Sequence, residues 1–183
     1  MKGGHHGMEI TGGALDLIGR TPVVRLTKVT PRNPRVEIFA KMEGYNPCSS
    51  VKDRIAKYMI EGAEQRGELT RDKTIIEASS GNTGIGLSMV AAHKGYRIKI
   101  IMPESMSVER RRVMQAFGAE VVLTPSVDGM NGAIAMATEM EKDPQYYHTN
   151  QYANPDNVRA HYEGTGAEIM EQVEGIDALV AGL

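Results

Sequence analysis

At 183 residues the chain fits one sizeable domain or two small ones, long enough to bury a real core. Charged residues make up 24% and apolar residues 41%, the composition of a soluble globular protein. A net charge of −2 without a basic run argues against nucleic acid as a main partner, and no apolar stretch approaches the ~20 residues that cross a bilayer.

The opening "MKGGHHGMEI" lacks the apolar core of a signal peptide and reads as a leader or tag over residues 1–8, a disordered tail rather than a metal site despite His5 and His6. A single cysteine, Cys48, allows no internal disulfide, which points to a reducing cytoplasm. Residues 9–45 read as two strands, "TPVVRLT" and "VEIFAKM", joined by a turn at "TPRNP", with no helix of any length between them. From there β-branched runs alternate with helical patterns. The strands are "TIIEAS", "RIKIIMP", "EVVLTPS", "YYHTNQ" and a final "DALVAGL"; helices are expected over 51–67, 83–94, 108–117, 130–142 and 156–173. Gly95 and Gly118 stand where glycines end helices. This rhythm predicts βαβ units, and hence an α/β fold: an open, mostly parallel sheet with helices on both faces, a three-layer αβα arrangement. The final run reads as a buried strand, which needs neighbours and a covering layer. The middle therefore reads as complete and the edges as parts of something larger.

Three stretches concentrate polar chemistry. In "NPCSSVKDRIAKYMIEGAEQRG", Ser50 and Asp53 form an S-x-x-D capping pattern, so Lys52 falls in the first helical turn. Ile55, Met59, Ile60 and Ala63 form the apolar face; Lys57, Glu61 and Glu64 form the wet one. A helix N-terminus disfavours a cation by ~0.3–1 kcal/mol. Lys52 is thus either a solvated surface residue or a lysine wanted uncharged, by burial or by covalent capture. Cys48 beside it is a candidate nucleophile, but no histidine adjoins it in sequence, and a small packing residue in a turn is the better reading.

In "EASSGNTGIGLSMVAAHKG" a strand runs through Ser79, Ser80, Gly81, Asn82 and Thr83 into a helix. Such a turn offers free backbone N–H groups and hydroxyls to an anion, or is simply a tight βα turn. Glycines at 81, 84 and 86 give G-x-x-G-x-G, which matches neither the dinucleotide nor the nucleotide-phosphate pattern. A carboxylate suits the loop better than a triphosphate. In "HTNQYANPDNVRAHYEGTG", Asn150 and Gln151 end a strand, where open α/β sheets bind ligands. His161 further along is a candidate general base, or a histidine on a helix surface. No metal-ligand spacing and no catalytic triad stands out.

Taken together, "IGRTPVVRL", "NPCSSVKDR", "EASSGNTGIGL", "IMPESMSVERR", "FGAEVVLTP" and "NQYANPDNVRAHYEGTGAEI" resemble, in order and spacing, the cysteine synthases (O-acetylserine sulfhydrylases), pyridoxal-phosphate enzymes of the tryptophan synthase β fold type. The resemblance runs from about Thr11 to the last residue. It implies that Lys52 is the Schiff-base lysine for pyridoxal 5′-phosphate and afterwards the base at Cα. It implies that Asn82 hydrogen-bonds the cofactor's 3′-oxygen, and that Ser79, Ser80, Gly81, Asn82, Thr83 and Gln151 grip the substrate α-carboxylate. The implied reaction is β-replacement, O-acetyl-L-serine plus sulfide to L-cysteine plus acetate. A cystathionine β-synthase or a phosphoserine-using cysteine synthase is the alternative; a dehydratase fits the "SSGNTG" loop less well. A non-catalytic domain or binding module is the reading from another class.

The resemblance also implies domains: 9–52 as strands of a larger domain, 53–155 as a small αβα domain carrying the carboxylate loop, and 156–183 as a return into the larger one. It implies a homodimer for the intact enzyme, and a docking site for the C-terminal tail of serine acetyltransferase. Four departures stand out. Cys48 replaces a small glycine or alanine, Ser79 a threonine and Ala167 a proline, while the glycine-rich phosphate loop that follows "DALVAG" in the family is not in this sequence. The expectation for this polypeptide alone is weak or no activity, with exposed edges at 21–27, 36–42 and "DALVAGL".

Overall fold

The computed structural model describes residues 11–28 and 35–182. The leader, His5, His6, the turn at Thr30–Pro34 and Leu183 lie outside the described residues. In chain order come β1 (Val23–Arg25), β2 (Phe39–Lys41), α1 (Lys52–Gln65), β3 (Thr74–Ala78), α2 (Asn82–Lys94) and β4 (Arg97–Pro103). Then follow α3 (Val108–Ala116), β5 (Glu120–Thr124), α4 (Gly129–Met140), β6 (Tyr146–His148), α5 (Pro155–Arg159) and α6 (Ala167–Gln172).

β3, β4, β5 and β6 form one parallel sheet in the order β5-β4-β3-β6. The chain steps outward from β3 to β4 to β5, then crosses back over the sheet through α4 to place β6 on the far side of β3. That reversal leaves a crevice beyond the carboxyl ends of β3 and β6. Strand alternation fills both faces. Ile75, Ile98, Ile100 and Met102 point to a large core shared with α1, α2 and α3, while Ala78 and Ile101 meet Ala133 and Ala137 of α4. The expected layers are present, with helices on both faces. Gly95 and Gly118 adopt φ of +76° and +84° at the ends of α2 and α3, as expected of terminating glycines.

Three expectations need correction. The run "DALVAGL" forms no strand: residues 177–182 make no ladder pairing, and Val180 is 94% exposed. Strand propensity forms a strand only where the segment pairs with another, and residues 177–182 join neither sheet. The helix expected over 156–173 is present from Pro155 to Gln172 but does not keep one winding. Between α5 and α6 the seven residues Ala160–Gly166 wind as a π-helix. Glycines allow this: a Cβ on Gly164 would lie 3.4 Å from Arg54 Nη1, and one on Gly166 3.0 Å from the His161 carbonyl. Finally, β1, β2 and β6 are three residues each, shorter than their β-branched runs.

β1 and β2 form an antiparallel pair apart from the main sheet, with Val24 opposite Ala40. Arg54 of α1 joins this region to α1 and α6. Its side chain is 3% exposed and sits between two carboxylates. Nε and Nη2 donate to Glu43 at 2.7 and 2.9 Å, and Nη1 and Nη2 to Glu168 at 2.7 Å each. Lys41 of β2 donates to Glu168 at 2.6 Å and to the Thr21 carbonyl at 2.8 Å. Glu43 also accepts from Thr21 Oγ1 at 2.7 Å and Asn46 Nδ2 at 2.9 Å, so the carboxylates are satisfied from several sides.

Gly62 of α1 marks the closest approach of α5. A Cβ there would fall 2.1 Å from Asp156 Oδ2, whose carboxylate is buried and held by Arg66 at 2.8 Å and Arg159 at 3.1 Å. Gly62→Ala gains helix propensity but must displace that carboxylate. The expected net result is a loss of about 1–2 kcal/mol, read as a lower denaturation midpoint at unchanged m-value.

Candidate active site

The crevice at the strand reversal is where the predicted residues gather. Two loops line it: Ser79–Gly81 after β3 and Thr149–Asn154 after β6. Ser79 Oγ is buried and accepts from Gly81 N at 3.3 Å and Gly84 N at 3.0 Å, fixing the loop onto the start of α2. The first N–H groups of a helix have no partner within it. Here Gly84 N is taken by Ser79 and Ile85 N by the Gly81 carbonyl at 3.3 Å, which leaves the amides of Asn82 and Thr83 for a ligand. With both lone pairs of Ser79 engaged, its hydrogen is also left to donate. Thr83 is buried and donates to Gln151 Oε1 at 2.7 Å, so the α2 start and the β6 loop are joined across the crevice. Ser80 and Gly81 are half-buried and Asn82 exposed. Arg110 of α3 reaches the Ser80 carbonyl at 3.3 Å, bringing a guanidinium to the rim.

Lys52 opens α1. This helix runs alongside α2 in the same direction: a Cβ on Gly86 would be 3.3 Å from the Lys52 carbonyl and 3.2 Å from Ala56 Cβ, while at the far ends Glu64 pairs with Lys94 at 2.8 Å. Both helices therefore start at the same end of the molecule, so half-buried Lys52 lies at the end where the Ser79–Thr83 turn opens α2. The Ser50–Asp53 capping box takes another form. Ser50 Oγ accepts from Lys52 N at 3.1 Å, and Asp53 Oδ2 from Cys48 N at 2.7 Å rather than from Ser50 N. Asp53 is fully buried, its Oδ1 has no hydrogen-bond partner, and burial pushes its carboxyl up to about 6. Ser49 at φ +57° and Asn150 at φ +45° stand shortly ahead of Lys52 and Gln151, so the segments leading into these two residues each hold a non-glycine residue in the left-handed region.

Cys48 is free and half-buried. Burial first and the Asp53 charge second push its thiol up to about 11, the reverse of activation. His161 is half-buried in the π-helical turn rather than on a helix surface. Its Nδ1 lies 3.0 Å from Thr165 Oγ1, and burial with the Lys52 and Arg54 charges lowers its pKa below the ordinary value. The site also holds a residue that sequence reasoning passed over. Glu77 of β3 is 2% exposed beneath Gln151 and contacts Thr149 and Gln151. A charge inside the β-branched run "TIIEAS" was the signal for it.

An amine at a helix start, hydroxyls and free helix amides are groups that could take up an aldehyde and a carboxylate. The chain's matches to known proteins agree: residues 14–183 match the model of the pyridoxal-phosphate dependent enzymes, and the chain belongs to that family. Within it the likeness is to cysteine synthases. The chain is 51% identical over 172 residues to a cysteine synthase of Flavobacterium sp., covering 93% of this chain and 55% of that protein. The solved cysteine synthase of Entamoeba histolytica superposes with a TM-score of 0.85 at 43% identity, covering 93% of this chain and 52% of that one. An O-acetylserine-dependent cystathionine β-synthase from Helicobacter pylori gives a TM-score of 0.84 at 40% identity, over 91% and 55% of the two chains. The fold is thus of the tryptophan synthase β type, and the chain spans about half the length of the relatives it matches. Among the described residues, no helix is long and apolar enough to cross a membrane, and no group of three or more His, Cys, Asp or Glu could hold a metal ion.

Proposed function

We propose that this chain carries the lysine and the carboxylate-binding half of a β-replacement site that makes L-cysteine and acetate from O-acetyl-L-serine and sulfide. The observation that carries the reading is the convergence of Lys52 with the Ser79–Thr83 turn and Gln151 at the strand reversal. Pyridoxal 5′-phosphate, when bound, supplies an electron sink for the pair left at the substrate Cα. Lys52 would hold it through Nζ and would serve as the base for the Cα proton. Asn82, exposed at the first position of α2, holds the cofactor's 3′-oxygen. The amides of Asn82 and Thr83, the Ser79 and Ser80 hydroxyls and the Gln151 amide grip the α-carboxylate, which fixes Cα within reach of Lys52. Closure of residues 53–155 over the carboxylate excludes water. The tail of a serine acetyltransferase, ending in a carboxylate, suits the same turn, and the intact enzyme is a homodimer.

The second reading, a β-replacement that takes a thiol amino acid in place of sulfide, is favoured by the close superposition on the Helicobacter pylori enzyme. The central residue is tested by adding pyridoxal phosphate, reducing with borohydride and mapping the product by mass spectrometry. Modification confined to Lys52 and lost in Lys52→Ala is the expected result. Labelling spread over surface lysines would overturn the assignment. Sulfide and homocysteine offered in parallel with O-acetylserine to unreduced protein loaded with pyridoxal phosphate separate the two acceptor readings.

A further inference from the structure

We propose that Glu77 is the positioning residue of the carboxylate site: it sets which way the Gln151 amide points, and through it the direction of the Thr83 hydroxyl. The inference rests on the carboxylate-binding role given above to Gln151 and Thr83.

Glu77 shares the strand face of Ile75, beneath the crevice. A carboxylate there is costly, and burial does raise its pKa above the ordinary 4.5, opposed chiefly by Thr149, His148 and Gln151. The groups that meet it are donors. Thr149 Oγ1 and the Gln151 backbone N–H, at 3.3 Å, both reach Oε2; Gln151 Nε2 faces Oε1 at 3.4 Å. An ionised carboxylate only accepts, so the end of the Gln151 amide turned toward it must be the NH₂. Oε1 is thereby turned to the other side, where Thr83 Oγ1 donates to it at 2.7 Å. A flipped amide would set its oxygen against Glu77 and leave the Thr83 hydrogen without that acceptor.

Two consequences follow for a ligand. Gln151 keeps its second Nε2 hydrogen for an incoming carboxylate, and Thr83, its own hydrogen committed, presents the ligand with its backbone amide. A glutamine at 77 would keep its oxygen on the Gln151 backbone N–H and turn its own NH₂ toward the Gln151 side chain, which favours the flipped amide. The buried charge sets the native orientation from a rigid strand, on the far side of the amide from the ligand.

The test uses the ¹⁵N-labelled chain, its Gln151 side-chain resonances assigned by their loss in Gln151→Ala, with L-serine as the α-carboxylate probe. In Glu77→Gln the Gln151 NH₂ resonances are expected to move toward free-glutamine positions. The serine-induced shifts at Ser80–Thr83 should need about 10-fold more ligand, the loss of one oriented hydrogen bond. Thr83→Ala is the second variant: the NH₂ resonances should stay near their wild-type positions if Glu77 sets the amide. Unmoved Gln151 resonances in folded Glu77→Gln would overturn the proposal. So would resonances freed in Thr83→Ala, and that variant decides the matter if Glu77→Gln does not fold. Wild-type protein that ignores L-serine would count against the carboxylate site itself, while the Gln151 resonances still decide the role of Glu77.

Discussion

Arg54→Ala is expected to cost about 3–5 kcal/mol, the range for removing one partner from a buried ionic cluster. The loss comes less from the missing attraction than from what remains. Glu43 and Glu168 were brought together by one guanidinium, and without it they face each other with only Lys41 between β2 and α6. Arg54→Lys should recover less than half of the loss. An ammonium is a point charge with three donors and cannot span two carboxylates as the planar fork does. The pH dependence identifies the cause. Burial works against ionisation of Glu168, but Arg54, Lys41 and the Arg20 amide outweigh it and hold its pKa at about 2, below the ordinary 4.5. A depressed carboxyl contributes stability above its unfolded pKa and loses it as pH falls toward the folded one. Acid unfolding between pH 4.5 and 2 should therefore be steep in the wild type and shallower in Arg54→Ala. A denaturant midpoint unchanged by the substitution would refute the role given to this cluster.

The parts of this molecule that were legible in the sequence share one property: local signals and tertiary demands agree there. The middle strands are β-branched and buried on both faces, their helices are amphipathic, and Gly95 and Gly118 end two of them where glycine is needed. Lys52 and the Ser79–Thr83 turn stood out because a cation at a helix start and a glycine-bounded turn are each unusual in isolation. What escaped depends on residues distant in sequence. Arg54 reads as a surface charge beside Lys52 until Glu43 and Glu168, 11 and 114 positions away, close over it. The same guanidinium crowds Gly164, in the segment that winds as a π-helix where a continuous α-helix was expected. "DALVAGL" has strand propensity, but its described residues pair with neither sheet, and propensity alone makes no strand. Glu77 was visible as an oddity, but its meaning required Gln151 to be placed above it.

Asp53→Asn is expected to stabilise the protein at neutral pH, by up to about 3 kcal/mol, the free energy equivalent of its displaced titration. The carboxyl is fully buried behind Lys52, with Oδ1 facing Gly86 and lacking a partner, and burial carries its pKa from an ordinary 3.8 to about 6. The folded state thus holds on to a proton that the unfolded state has released. Between about pH 4 and 6 the native form binds more protons, so stability from this group falls as pH rises through that window and stays level above it. Asparagine keeps an oxygen for the Cys48 amide, 2.7 Å from Oδ2, and removes the charge. The variant should melt higher at pH 7, and its advantage should vanish near pH 4. Cys48 gives an independent reading. Asp53 is the second cause of the thiol's rise to about 11, so losing that charge lowers the thiol pKa and speeds alkylation at pH 8. Equal melting curves at pH 7 would mean that the Asp53 carboxylate is compensated as it stands. An unchanged Cys48 alkylation rate would then show that the carboxyl is already neutral in the wild type, and a faster one that its charge is present there and offset.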